Sequence, residues 1–169
     1  MEDAFVAEID LEYEPGSCAG PVALRRVPGI ERTAGTRVDP AYVRHLDVCN
    51  GGNPNKRCFP VPGNVKVIER FLCLIGDYRD NDEHGDYDVG VVFAQIEGRF
   101  DGHQFPFAAL FGGDFLVFDD RGGAVPHVAV WDHERSGEGS PALTSVADEF
   151  AAFLSLLYED DDEDDEDEE

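Results

Sequence analysis

The stretch "FPFAALFGGDFLVFDD", residues 105 to 120, decides the fold. Two apolar runs flank a glycine pair, and an aspartate follows the pair directly. A phosphate cradle requires a strand, then a glycine loop, then a helix whose N-terminus receives the anion. After Gly112-Gly113-Asp114, however, Phe115 and Val117 alternate against Leu116 and Phe118, so the glycines lead into a strand. Both faces of that strand are apolar, which makes it a central one covered on both sides. The glycines read as a tight turn, and Asp114 as the group that satisfies its backbone donors.

Downstream, "VPHVAVWDHE" predicts a further strand, with Val128 and Val130 facing opposite to His127, Ala129 and Trp131. It ends on Asp132-His133-Glu134, a histidine whose charged form flanking carboxylates would favour, as in a switch or a metal ligand. No second histidine stands at ligand spacing, so the triplet reads as a polar cluster at a strand end and not as a metal site. Gly137, Gly139 and Pro141 then break the chain. "SVADEFAAFLSLLYE" places Val146, Phe150, Phe153 and Leu157 on one stripe, widened by Ala147 and Leu154, with Ser145 and Asp148 as a capping pair; it predicts a closing helix.

Upstream, Val89, Val92, Phe93 and Ile96 predict a helix ending near Gly98, although Gly90 inside it costs about 1 kcal/mol against alanine. Residues 78 to 88, "YRDNDEHGDYD", form an exposed acidic loop. "NVKVIERFLCLIG" fits strand or helix, and "RCFPVPG" is a short strand interrupted by Pro60 and Pro62. In "RVDPAYVRHLDVCNGG", Asp39 caps a helix with Pro40 at its first position. Tyr42, Val43, Leu46 and Cys49 give its apolar face, and Gly51 and Gly52 end it in the left-handed conformation. Residues 14 to 35 are rich in Pro and Gly and read as loop or very short elements, and residues 4 to 13 as an opening strand.

The chain has 169 residues, 42% of them hydrophobic, enough for one sizeable core. Its net charge is −24; the last eleven residues, "EDDDEDDEDEE", are all acidic, and without them the rest is still near −13. Such a chain repels nucleic acid, and a basic protein is the partner its field would attract. Cys18, Cys49, Cys58 and Cys73 contain no C-x-x-C pair. They allow two disulfides, but the acidic N-terminus has no signal-peptide pattern, which favours free buried thiols and a cytoplasmic site. No run reaches the roughly 18 apolar residues that a membrane span needs. There is no G-x-S-x-G, no P-loop and no marked cysteine nucleophile, so the expectation is a binding protein without catalytic residues or cofactor. Binding is assigned to the acidic loop: Asp77, Tyr78, Asp80, Asp82, Glu83, Asp86, Tyr87 and Asp88 combine carboxylates with aromatic rings suited to arginine or lysine.

Read in order, the motifs resemble the Smi1/Knr4 (SUKH) superfamily. "DPAYVRHLDVCNGG" is similar to its helix and Asn-Gly-Gly turn, "FPFAALFGGDFLVFDD" to its Pro-Phe-Ala, Gly-Gly-Asp and terminal aspartate segment, and "VAVWDHE" with "SVADEFAAFLSLL" to its last strand and closing helix. The signature positions are Asn50, Gly51, Gly52, Pro106, Gly112, Gly113, Asp114, Asp119 and Trp131. The likeness divides the chain into an N-terminal segment, residues 1–37, a domain at 38–158 and a disordered acidic tail at 159–169. The resemblance implies an α+β fold with a mixed, largely antiparallel sheet flanked by helices. It further implies an immunity protein that binds and occludes a cognate toxin, or, as in eukaryotic relatives, a regulatory interaction module.

Overall fold

A computed structural model describes residues 11–159. The expected opening strand lies largely outside them: Leu11 is buried and Tyr13 makes a single bridge to Pro54. The acidic tail beyond Glu159 is likewise outside.

Among the described residues six strands form one sheet: β1 (Cys58–Val61), β2 (Asn64–Phe71), β3 (Gln104–Leu110), β4 (Phe115–Asp119), β5 (His127–Gly137) and β6 (Ser140–Ala147). Among the described residues four α-helices accompany it: α1 (Val27–Ala34), α2 (Pro40–Val48), α3 (Val89–Ile96) and α4 (Phe150–Leu154). The architecture is α+β. Each strand pairs with its sequence neighbour, and every pairing is antiparallel, so the sheet is a curled meander and not a mixed one. Four of its five connections are short and leave no room for the crossover that parallel pairing needs. The fifth, residues 72–103, carries the acidic loop and α3 as an excursion and still returns antiparallel to β2. Among the described residues no helix is long and apolar enough to cross a membrane.

β4 is the central strand its sequence predicts: Leu116, Val117 and Phe118 are completely buried. On one face Phe118 stacks on Phe107 with centroids 4.4 Å apart, and Tyr42 of α2 and Phe150 of α4 close over them. On the other, Trp131 is wedged between Phe115 and Phe100, with Phe93 of α3 behind. Each aromatic pair adds about 0.5 to 1.5 kcal/mol beyond the area it buries. Gly112 (φ 98°) and Gly113 (φ 99°) make the turn from β3 to β4. A Cβ on Gly113 would also press on the His133 ring at 3.0 Å. Pro60 fits because β1 is an edge strand, where a missing N–H breaks no ladder.

The two ends of the domain depart from the sequence reading. Residues 27–34, expected as loop or very short elements, form an eight-residue helix. Pro28 falls in the first turn, where it costs nothing, and Gly35 closes the helix at φ 68° with its N–H on Glu31 O. At the other end, Gly137 and Gly139 do not end the strand region but turn it. β6 pairs back along β5, Trp131 opposite Leu143 and Val130 opposite Thr144, so Val146 and Ala147 are strand residues and α4 begins only at Phe150. The Ser145–Asp148 cap does not form. The buried Asp39 carboxylate serves instead: it caps α2 through Ala41 N at 2.9 Å and accepts the N–H of Phe150 at 3.2 Å. One carboxylate therefore starts two helices far apart in sequence. α2 ends on extended Cys49, and the positive-φ Gly51 and Gly52 belong to the turn after it.

The cysteine expectation is corrected in part. Cys18 and Cys49 form a disulfide with Cα atoms 5.2 Å apart, while Cys58 and Cys73 are buried outside any disulfide. The cross-link spans a sequence separation of 31, worth about 4 kcal/mol on the chain-entropy account.

His45 of α2 is buried among Phe71 and Phe150 and hydrogen-bonds the Tyr13 hydroxyl. Burial pushes its pKa down to about 4 from 6.5. The folded state thus keeps it neutral where the unfolded chain takes up a proton, and stability is lost as pH falls through that interval. The loss is up to about 3 kcal/mol. Melting curves between pH 7 and 4 will show a steeper fall for the native chain than for His45→Gln; parallel slopes would remove His45 as the cause.

Candidate partner-binding surface

The excursion between β2 and β3 is held by an ion pair around one buried carboxylate. Asp88 has no exposure, and Arg26 meets it bidentately, with Nη1 at 2.6 Å from Oδ2 and Nη2 at 2.9 Å from Oδ1. The same carboxylate caps α3 through Gly90 N at 2.9 Å and Val91 N at 3.3 Å, and accepts from Ile75 N at 3.1 Å. Arg26 also donates to Ile75 O and lies 4.4 Å from the Tyr78 ring centroid. Its guanidinium pKa is raised, chiefly by the Asp88 hydrogen bonds. Gly90, a liability on helix propensity, is explained here: a Cβ would stand 2.6 Å from Arg26 Nη2. Gly85 is similarly constrained, since a Cβ there would meet Tyr78 O at 2.2 Å.

This frame sorts the sequence-assigned binding residues. Asp77, Asp80, Asp82, Glu83 and Asp86 are exposed on the loop between Ile75 and Asp88. Asp88 is not available to a partner, because its oxygens are buried and engaged. Tyr78 and Tyr87, read as sites for a partner's cations, already carry this chain's own: Arg26 and Arg79 over Tyr78, and Arg70 over Tyr87 at 3.8 Å. What the fold presents is five carboxylates on a braced base, with Asn81 Oδ1 receiving His84 N and Asn81 O receiving Gly85 N.

The signature residues are structural. Asn50 uses both ends of its amide, taking Leu74 N at 2.8 Å and donating to Gly20 O and Leu74 O, which ties the N-terminal segment to the chain leaving β2. Gly51 and Gly52 are packed so closely that a Cβ would sit 2.9 Å from Cys73 Cβ and 2.8 Å from Cys49 Sγ. Pro106 lies at a β-bulge and Asp119 binds Gln104 and Arg121. Asp114 was expected to satisfy its own turn. Instead it reaches across to β5, where Oδ1 accepts His133 N at 3.0 Å and Nδ1 at 2.6 Å, and Oδ2 pairs with Lys66 Nζ at 3.2 Å. Burial raises its pKa, but the His133 and Lys66 contacts outweigh this and hold it below the usual carboxylate range. The glycine turn and the Asp132-His133-Glu134 motif, read separately in sequence, are one cluster.

Asp114, Asp132 and His133 bring potential ligand atoms within 4.8 Å of one another. Lys66 already supplies a positive charge to Asp114, and Asp132 Oδ1 accepts the N–H groups of Glu134 and Arg135. The arrangement braces three strands. Among the described residues no hydroxyl or thiol hydrogen-bonds His133 to complete a nucleophilic relay.

Two neighbouring acids should therefore behave oppositely. Asp88→Ala strands a charge and uncaps α3, and urea unfolding should show a loss of about 3 to 5 kcal/mol; Asp86→Ala should stay within about 0.5 kcal/mol of the native chain. Equal effects would remove Asp88 as the anchor.

The model of the SMI1-KNR4 cell-wall family, SUKH_6, matches residues 26–154, starting at the very arginine that anchors the excursion. No match was found among curated proteins or solved structures. The match takes in α1 as well as every strand and covers well over half of the chain, and on that ground the protein is a member of the SMI1-KNR4 (SUKH) family.

Proposed function

We propose that this protein is an immunity protein that binds a cognate bacterial toxin and neutralises it by occlusion, without catalysis. The observation that carries the reading is the set of exposed carboxylates, Asp77, Asp80, Asp82, Glu83 and Asp86, standing on a base that Asp88 and Arg26 hold fixed. A braced acidic surface enters a basic cleft without first being ordered, so binding does not bear that entropic cost. A toxin acting on nucleic acid has such a cleft, because it must attract phosphate. Membership in the SUKH family supports the same reading.

A second reading rests on the eleven-residue acidic tail: a regulatory module that engages a basic host protein chiefly through that tail. Deleting residues 159–169 separates the two. Under the immunity reading protection against the toxin persists, and under the regulatory one binding is lost.

The direct test converts Asp80, Asp82, Glu83 and Asp86 to their amides. At about 0.5 kcal/mol per exposed charge, toxin affinity should fall roughly thirtyfold with the melting temperature unchanged. Native binding should weaken steeply with salt. Unchanged affinity in the quadruple variant would take the loop out of the interface.

A further inference from the structure

A groove of about 600 Å³ runs between α1 and α3, beside the Arg26–Asp88 pair. Its apolar wall is formed by Ile30, Phe93 and Phe105, and its rim carries two exposed arginines, Arg25 and Arg32, with one acid, Glu97. Arg25 and Arg32 form no ion pair with any described residue, whereas Arg26 beside them is fully engaged. In a chain with 37 acidic and 13 basic residues, two uncommitted guanidinium groups flanking one apolar groove reverse the local charge. The volume lies in the range of small-ligand sites.

We propose that this groove binds a short acidic peptide segment of a protein partner, an apolar side chain entering between Ile30, Phe93 and Phe105 while flanking carboxylates pair with Arg25 and Arg32. The apolar wall accounts for one half of that chemistry and the guanidinium forks for the other, since they match carboxylate geometry. Nucleic acid and anionic membranes, which need an extended basic surface, are repelled by the rest of the molecule. The chain's own acidic tail offers carboxylates but, from Glu159 on, no apolar side chain. The site is independent of the toxin reading, which rests on the opposite charge.

The probe is a fluorescein-labelled hexapeptide with a Leu-Phe centre and two carboxylates on each side, titrated into the full chain by fluorescence anisotropy. It should bind, and Arg25→Gln with Arg32→Gln should weaken it roughly tenfold or more, at unchanged melting temperature. Ala94→Trp, which fills the groove from its exposed rim, should also weaken it. Three results would overturn the proposal: no binding, equal binding by the Asn/Gln version of the peptide, or equal binding by an all-acidic peptide without the apolar centre. Deleting residues 159–169 should leave the affinity unchanged. A large gain on deletion would make the tail the occupant, and a dimer dissociated by the arginine substitutions would make it a second copy; either overturns the proposal as well.

Discussion

The bidentate pair between Arg26 and Asp88 is the constraint on which the functional half of the molecule depends. It joins the residue before α1 to the residue before α3 and to the strand exit at Ile75. A buried carboxylate is tolerated only when its lone pairs are filled, and those of Asp88 are filled by one guanidinium and three backbone N–H groups. An apolar replacement of matching volume would spare the desolvation but lose the geometry. Only a planar fork meeting a planar carboxylate fixes both angle and distance. The pair thus defines where the loop of residues 77–87 leaves the body and where it returns.

That anchoring answers an electrostatic problem. Five exposed acids on one short loop repel one another, and in a flexible segment they would spread apart. Here the loop ends are tied at Cys73 and Val89 by backbone hydrogen bonds of 2.8 and 2.9 Å, and cations from the body lie over its two tyrosines. The arginines that the sequence suggested a partner would bring are supplied from within. The ring faces become part of the brace, and the outward carboxylates are left as the chemistry on offer.

Legibility followed the range of the forces involved. The helix from Pro40 and the strand after Gly113 were readable because their signals are local: an N-cap aspartate before proline, a glycine turn before an alternating run. The Val89 helix was readable from its apolar spacing, but the reason Gly90 is tolerated lies in Arg26, 64 positions earlier. The segment 140–147 misled because Val146 and Ala147 continue the helical stripe of Phe150 and Phe153. What makes them strand is the open edge of β5, which a two-residue turn brings alongside. The disulfide was not legible for the same reason, since the cysteines lie 31 positions apart and only the packing of the N-terminal segment on Asn50 brings them together. Asp114 was read as local and is not: its partners come from β2 and β5.

The distribution of cations gives the acidity of the chain a structural meaning. Arg26, Arg37, Arg57, Lys66 and Arg121 each pair with this chain's own carboxylates, and Arg70, Arg79 and Arg99 lie over its aromatic rings. Most of the positive charge is therefore spent internally as staples between elements. Arg37 clamps Asp120 and two carbonyls of the β4–β5 turn and depresses the Asp120 pKa through its hydrogen bonds, and Lys66 joins β2 to Asp114 at the head of β4. Arg25, Arg32, Arg44, Lys56 and Arg135 remain exposed, without an ion pair among the described residues. Cohesion of the fold thus takes up most of the cations, and among those left unpaired Arg25 and Arg32 stand out because they flank one apolar groove.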